Sequence, residues 1–347
     1  MSANSFGHIF KFHSFGESHG AGMGAVIEGC PSGVPFSLED VRRELDRRRP
    51  GRWPWSSSRK EPDEPEILSG VFEGKTLGTP IGILVRNKDA RPQDYKAIKE
   101  KPRAGHADDL WREKFRHWDH RGGGRASGRE TLSRVLAGSV ARSLLKELCP
   151  AFRVMAFVRQ IGNVFLEDGD LKTAEELFQK NILSETFSAC FPHKEKSEQV
   201  VKSLLKAKQE GNSLGSLIEL WIEGLPKGLG QPVFHKFKSD LVQGLMSLGA
   251  SSGVEIGKGF SSAKEEGLTF HKSSENYGGL RGGLTTSERI VMRVAFKPPS
   301  TLGKMAKEGR HDPCIGPRAV PVVEAMACIV SVDHLLWSRL DRLKPGI

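Results

Sequence analysis

The sequence predicts an α/β (α+β) protein, a single domain made by duplicating a β-α-β unit with pseudo-twofold symmetry. Short strand-like runs alternate with amphipathic helical runs along the chain. A hexapeptide, Glu28-Gly-Cys-Pro-Ser-Gly33, returns as Glu223-Gly-Leu-Pro-Lys-Gly228, each copy after a strand and before a helix. The 347 residues, 37% of them hydrophobic, can build one large core or about two smaller ones. The repeat halves are expected near 1–150 and 215–340 within one domain spanning 1–347.

The first strand-like run is Gly24–Glu28. Ser37 with Asp40 makes a capping-box-like helix start, Val41 and Leu45 follow at helical spacing, and Pro50-Gly51 stops the run. Ile81–Val85 reads as the next strand. Thr131–Leu148 sets Leu132, Val135, Leu136, Val140, Leu144, Leu145 and Leu148 on one broad stripe, a buried-face helix. A polar linker near Leu166–Ser213 holds the helix Lys194–Glu210, with Val200, Val201, Leu204 and Leu205 inward. Strand Ser216–Glu223, helix Phe237–Leu248, strand Ile290–Phe296 and helix Val320–Leu340 complete the second half. The displacement between the hexapeptides also carries Glu130, at the head of one long apolar helix, into the other.

Net charge is +10 and the sequence pI about 9.4, which points to an anionic or phosphorylated ligand. A mean hydropathy of -0.38 with this aliphatic content excludes disorder as the dominant state. No stretch reaches roughly 18 uninterrupted apolar residues, since Glu324 breaks Val320–Val332, so no membrane association is expected. The start, Met1 to His13, lacks the basic flank and apolar block of a signal peptide. Cys30, Cys149, Cys190, Cys314 and Cys328 are odd in number and widely spaced, so reduced thiols in a cytoplasmic chain are expected. Tyrosine is scarce, 2 against 18 phenylalanines, which argues against an adhesion module.

Two motifs fail on inspection. Gly74-Lys75-Thr76 lacks the leading glycine of a P-loop, because Ser69 stands there, and no helix pattern follows. Gly20-x-Gly22-x-Gly24 precedes a strand instead of opening a helix, unlike a dinucleotide fingerprint.

Four glycine-rich polar segments hold the candidate chemistry. Phe15-Gly-Glu-Ser-His-Gly20 lets the backbone approach a ligand beside an imidazole that titrates near neutrality. Residues 42–60 carry eight basic against two acidic side chains, an excess that suggests an anion site more than a capped helix end. The stretch from Arg103 to Thr131 shows little periodicity, and its Gly122-Gly-Gly124 and Arg121, Arg125 and Arg129 feed a helix N-terminus, an anion-binding arrangement. There His117-x-x-His120 with Asp119 lacks a third spaced ligand, so no metal is expected. Gly309-Arg-His-Asp-Pro313 precedes the last long helix. A basic RNA- or DNA-binding protein is the alternative reading, but surface aromatic-basic strands, helix-turn-helix and zinc-finger spacings are missing, so no nucleic-acid partner is expected.

Taken in order, Phe15–Gly20, Asp46-Arg-Arg-Arg-Pro-Gly51, Gly105-His-Ala-Asp108, Arg121-Gly-Gly-Gly-Arg-Ala-Ser127 and Arg310-His-Asp-Pro313 resemble the chorismate synthases. The resemblance covers nearly the whole chain. It implies helices sandwiched between two antiparallel sheets, a homotetramer, and reduced FMN as cofactor. It implies anti-1,4-elimination of phosphate from 5-enolpyruvylshikimate 3-phosphate to give chorismate, without net redox change. The flavin would be reduced by NADPH on the chain or by an external reductase. His19 would act as acid toward the leaving phosphate, His106 would sit by the flavin ring, and Asp312 would assist the flavin nitrogen that takes the substrate proton. Arg48, Arg125, Arg310 and Ser18 would hold the substrate. Arg125, Ala126, Ser127, Ala250, Gly282 and Arg310, with Lys297, Pro298, Pro299, Ser300 and Thr301, would hold FMN. Gly249 and Glu275 depart from the family pattern, and Ser261–Ser274 and Leu302–Glu308 are shorter than the family's loops, so Glu275 either points away from the flavin or weakens its binding.

Overall fold

The computed structural model describes residues 3–57, 61–89, 102, 103, 105–309 and 311–343. Sheet 1 contains β1 (Ser5–Phe6), β2 (Lys11–Gly16), β3 (Gly22–Glu28), β4 (Pro65–Ser69) and β5 (Ile81–Arg86), in the order β1-β2-β3-β5-β4. Sheet 2 contains β6 (Arg153–Ile161), β7 (Ser216–Glu223), β8 (Ser251–Ile256) and β9 (Ile290–Phe296), in the order β6-β7-β9-β8, with Val164–Phe165 on the β6 edge. Every pairing in both sheets is antiparallel. Apart from the short edge strands, the two sheets have one strand order.

The helices repeat in the same places. α1 (Leu38–Arg48) follows β3, and α2 (Asp108–Phe115) and α3 (Thr131–Leu148) follow β5. In the second half, α4 (Lys194–Glu210) precedes β7, α5 (Phe237–Met246) follows β7, and α6 (Gly316–Trp337) follows β9. The hexapeptides form matching turns. Gly29 and Gly224 have φ of +78° and +84°, and Gly33 and Gly228 have +86° and +91°. A Cβ on Gly29 would lie 1.8 Å from the Ile9 carbonyl oxygen, and one on Gly224 would lie 2.1 Å from that of Ala151. Each contact falls just ahead of its sheet's first long strand, so only glycine fits at either turn.

α3 lies on β2 and β3, α6 lies on β6 and β7, and the two helices pack along each other. The layers therefore run sheet, helix, helix, sheet, with the core between. α1 starts where its sequence says: Ser37 Oγ accepts from Asp40 N at 3.2 Å, and Val41 and Leu45 are buried. α6 begins four residues earlier than Val320, because Pro317 suits its first turn. Pro321 inside α6 donates no hydrogen bond to the Pro317 carbonyl, which instead accepts from Cys190 Sγ at 3.5 Å. By length and composition Gly316–Leu340 could cross a membrane, but its apolar window is wholly buried in the protein. The charge that interrupts it, Glu324, is fully buried and ion-paired.

β2, β4, β6 and β8 have no clear signature in the sequence. β6 is buried on both faces, so it shows a continuous apolar run flanked by arginines where alternation would be expected. It places the start of sheet 2 at Arg153, ahead of residue 215, and makes much of Leu166–Ser213 a connection inside sheet 2. The Arg103–Thr131 stretch is not one long loop, since α2 and tight turns occupy it.

Candidate active site

A cavity of about 1250 Å³ opens where the N-terminus of α3 meets the segment after β9 and the segment leading into α6. It exceeds the roughly 300–1,000 Å³ of a usual ligand pocket. Six arginines and two lysines line it against two carboxylates, Glu130 and Asp312.

Arg48 ends α1 fully buried, its Nη2 3.0 Å from Asp63 Oδ2. Arg129 Nη2 lies 2.8 Å from the other oxygen of the same carboxylate, while its Nε donates to Asn87 Oδ1 at 2.8 Å. One carboxylate thus serves two guanidiniums. Burial, with the like charges of Arg318 and Arg129, outweighs Asp63 and pulls Arg48 down to about 10. Burial works against Asp63 ionising, but Arg48 and Arg129 overcome it and hold the carboxyl below its ordinary range. Asp63 takes a left-handed backbone, φ +48°, which an aspartate tolerates better than most side chains.

His106 also lines the cavity. Its Nδ1 is 2.8 Å from Asp108 Oδ1, and Arg103 grips the same carboxylate through Nε at 2.8 Å and Nη2 at 3.0 Å. Burial pushes the Asp108 carboxyl up, but hydrogen bonds from His106 and Arg103 outweigh it, so it sits well below the ordinary value. Arg125 donates to the Gly16 carbonyl at 2.8 Å and to Ser14 Oγ at 2.7 Å. Lys297 Nζ and Ser300 Oγ both donate to the Gly105 carbonyl, at 2.8 and 2.9 Å, which ties the segment after β9 to the His106 turn. Asp312 accepts from the Ser57 N–H at 2.8 Å and pairs with Arg318. It does not cap α6, whose N-cap is Ile315.

Of the residues singled out from sequence, Arg48, His106, Arg125, Ala126, Ser127, Ala250, Lys297, Pro298, Pro299, Ser300, Thr301 and Asp312 all line this cavity. Arg310 lies outside the described residues. Ser18 and His19 do not line the cavity; they are buried behind Gly122, with Ser18 Oγ 2.9 Å from His19 Nδ1. Gly122, at φ +63°, permits this, because a Cβ there would lie 2.0 Å from His19 Nδ1. Gly282 is not at the cavity: it turns the hairpin between Leu280–Arg281 and Leu284–Thr285. Glu275 is exposed and away from the cavity wall.

The 42–60 basic cluster is mostly neutralised in place. Arg42 pairs with Glu64, Arg43 with Asp40, Arg49 with Asp46, and Arg47 with Glu44, Glu185 and Glu324, which leaves Arg48 as the arginine of α1 that faces the cavity. Asp119 likewise is held by Arg121 at 2.7 Å. Sequence reading missed Asp63, Ser57 and Arg318. The spacing of Asp108, two residues beyond His106, was the one legible hint of a histidine-orienting carboxylate.

These residues fit an anionic ligand with a flat ring. Arg48 Nε, fully buried, has no hydrogen-bond partner among the described residues. A Cβ on Gly128 or Gly249, both on the cavity wall, would meet nothing within 4 Å. Phe6, Phe12, Leu248 and Phe296 supply apolar wall.

A family model described as chorismate synthase matches residues 10–336. A chorismate synthase from Bdellovibrio bacteriovorus is 51% identical over 347 residues, covering 99% of this chain and all of the relative. One from a Cyanothece species is 42% identical, covering 97% and 98%. A crystal structure of chorismate synthase superposes with a TM-score of 0.76 at 32% identity, covering 96% of this chain and 93% of that one.

Proposed function

The chain belongs to the chorismate synthase family of carbon–oxygen lyases, and on that premise we propose that the basic cavity is where 5-enolpyruvylshikimate 3-phosphate loses phosphate to give chorismate. The observation that carries this reading is the guanidinium excess around Asp63, with His106 and Asp312 on the same cavity. A substrate bearing a phosphate and carboxylates needs such donors, and in a water-poor site they stabilise charge as it moves onto the departing phosphate.

Reduced FMN, when bound, supplies an electron-rich ring that assists the elimination without net redox change. Arg125, Ala126, Ser127, Ala250 and Lys297–Thr301 would hold it, and NADPH is the proposed source of reducing equivalents. Gly282 is left out of this set. Arg48, Arg129 and Arg318 orient the anionic groups of the substrate. His106 is fixed by Asp108 and presents its ring to the cavity. Asp312, held by the Ser57 N–H and Arg318, relays the proton taken from the substrate. His19 is the acid toward phosphate, and that role requires the Gly122–Gly124 segment to shift.

The nucleic-acid reading has no support: the family is enzymatic, and much of the basic charge lines a concave cavity or is paired within the fold. We also propose one domain, a homotetramer, and a cytoplasmic location consistent with five free thiols. Light scattering that finds a monomer at micromolar concentration overturns the assembly.

The test of function is an anaerobic assay with reduced FMN. Wild-type chain should form chorismate, and Asp312→Asn and His106→Ala should each lower turnover by about 10²–10⁴-fold while melting temperature and FMN binding hold. No chorismate from the wild type refutes the function, and normal turnover in the variants refutes the roles.

A further inference from the structure

Apart from the cavity, one group of side chains among the described residues has the composition and spacing of a metal site. His8 lies in the turn between β1 and β2, His235 in the loop before α5, and Asp240 in the first turn of α5. One ligand atom from each lies within 4.8 Å of the other two. None of the three lines the cavity.

From this geometry we propose that His8, His235 and Asp240 bind a divalent transition-metal ion of zinc type. Two imidazoles and a carboxylate are a borderline donor set that suits Zn²⁺ and excludes the hard, oxygen-only preference of Ca²⁺ or Mg²⁺. Zinc–ligand bonds of about 2.0–2.2 Å bring donor atoms closer than the present spacing, so the exposed His8 ring closes onto the other two.

The surroundings are already organised for such an ion. His334, buried on α6, places Nε2 3.0 Å from Asp240 Oδ2 and so orients the carboxylate from behind. His235 Nδ1 lies 3.1 Å from Asp240 Oδ1. The backbone that carries His8 is fixed by Asp333, whose carboxylate accepts from the N–H groups of His8, Ile9 and Phe10 at 2.9, 2.7 and 2.9 Å. Trp337 shields the group, its ring centroid 4.7 Å from that of His8 and 5.6 Å from that of His235. The His8 and His235 rings already meet edge to face, their centroids 4.1 Å apart.

The ion would tie the first hairpin of sheet 1 to α5 of the second half. Its role is structural, and three protein ligands leave one tetrahedral position to water.

The experiment uses the untagged full-length chain, stripped with a chelator and titrated with Co²⁺ and then Zn²⁺. One equivalent of Co²⁺ should give visible d–d absorption without a thiolate charge-transfer band, and Zn²⁺ should displace it and raise the melting temperature. His8→Ala and the more conservative His8→Gln, both at an exposed position, should weaken binding by at least about tenfold while the metal-free melting temperature and chorismate formation stay unchanged. Failure to saturate below about 100 μM, equal affinity in the His8 variants, or a thiolate band pointing to a cysteine site each overturns the proposal. The metal-titration and melting readouts do not depend on the cavity being the active site.

Discussion

Asp108 shows how one carboxylate can serve a site without touching its ligand. It holds His106 and Arg103 together, and those partners keep its carboxyl below the ordinary 3.8 despite burial. A group whose folded pKa is depressed contributes stability above its unfolded value, and the contribution is lost as pH falls through the folded one. Asp108→Asn is therefore expected to cost roughly 1–3 kcal/mol at pH 7. The melting-temperature gap to wild type should narrow as pH drops below 4, and a gap that stays constant from pH 7 to 3 rules this out. At this scale the sequence was informative about His106, Arg125 and Asp312, because glycine-flanked polar residues mark ligand-facing turns. It was silent on Asp63, which sits among prolines and acids and acquires its role only when β4 brings it beneath Arg48 and Arg129. It did not foretell the burial of Ser18 and His19, since nothing in a linear motif reveals that Gly122 folds across them.

Among the elements, α6 carries most of the long-range logic. Glu324 on this helix meets Arg47 of α1 at 2.8 Å and Arg142 of α3 at 3.1 Å, and accepts from the Ala156 N–H of β6 at 2.9 Å. Burial opposes the charge on Arg47, yet Glu324, Glu44 and Glu185 raise its pKa well above the ordinary value. The cluster has more carboxylates than guanidiniums. Removing Arg47 strands buried negative charge, whereas neutralising Glu324 relieves the excess. Arg47→Met should cost about 3–5 kcal/mol in denaturant unfolding, and Glu324→Gln clearly less. Equal costs would contradict this charge balance. The helices were legible because caps and apolar stripes are local signals: Thr131–Leu148 and Lys194–Glu210 end where the sequence indicates. Strands such as β6, buried on both faces, were not, because their alternation is erased by the layers packed against them.

For the molecule as a whole, the two hexapeptides mark like turns, because Gly29 and Gly224 are forced by the same kind of backbone collision. The duplicated strand order itself depends on pairings between distant segments that no local pattern records. The core also sets thiol chemistry. Burial pushes Cys30, Cys314 and Cys328 up to about 11 and raises Cys190 well above its ordinary value, while Cys149 is only partly covered. A thiol reagent at pH 8 should titrate at most one group in the native protein, Cys149, and all five after denaturation. Rapid labelling of three or more native thiols would mean that the layers open.

The place of α6 in the chain governs how the protein is made. The ribosome delivers residues in order, at about 5–20 per second, so the inner helix that covers sheet 2 and the flank of α3 emerges only after every strand of both sheets. Until it arrives, two apolar surfaces built by the preceding 315 residues face solvent. The packing of the two layers against each other therefore waits until α6 has emerged.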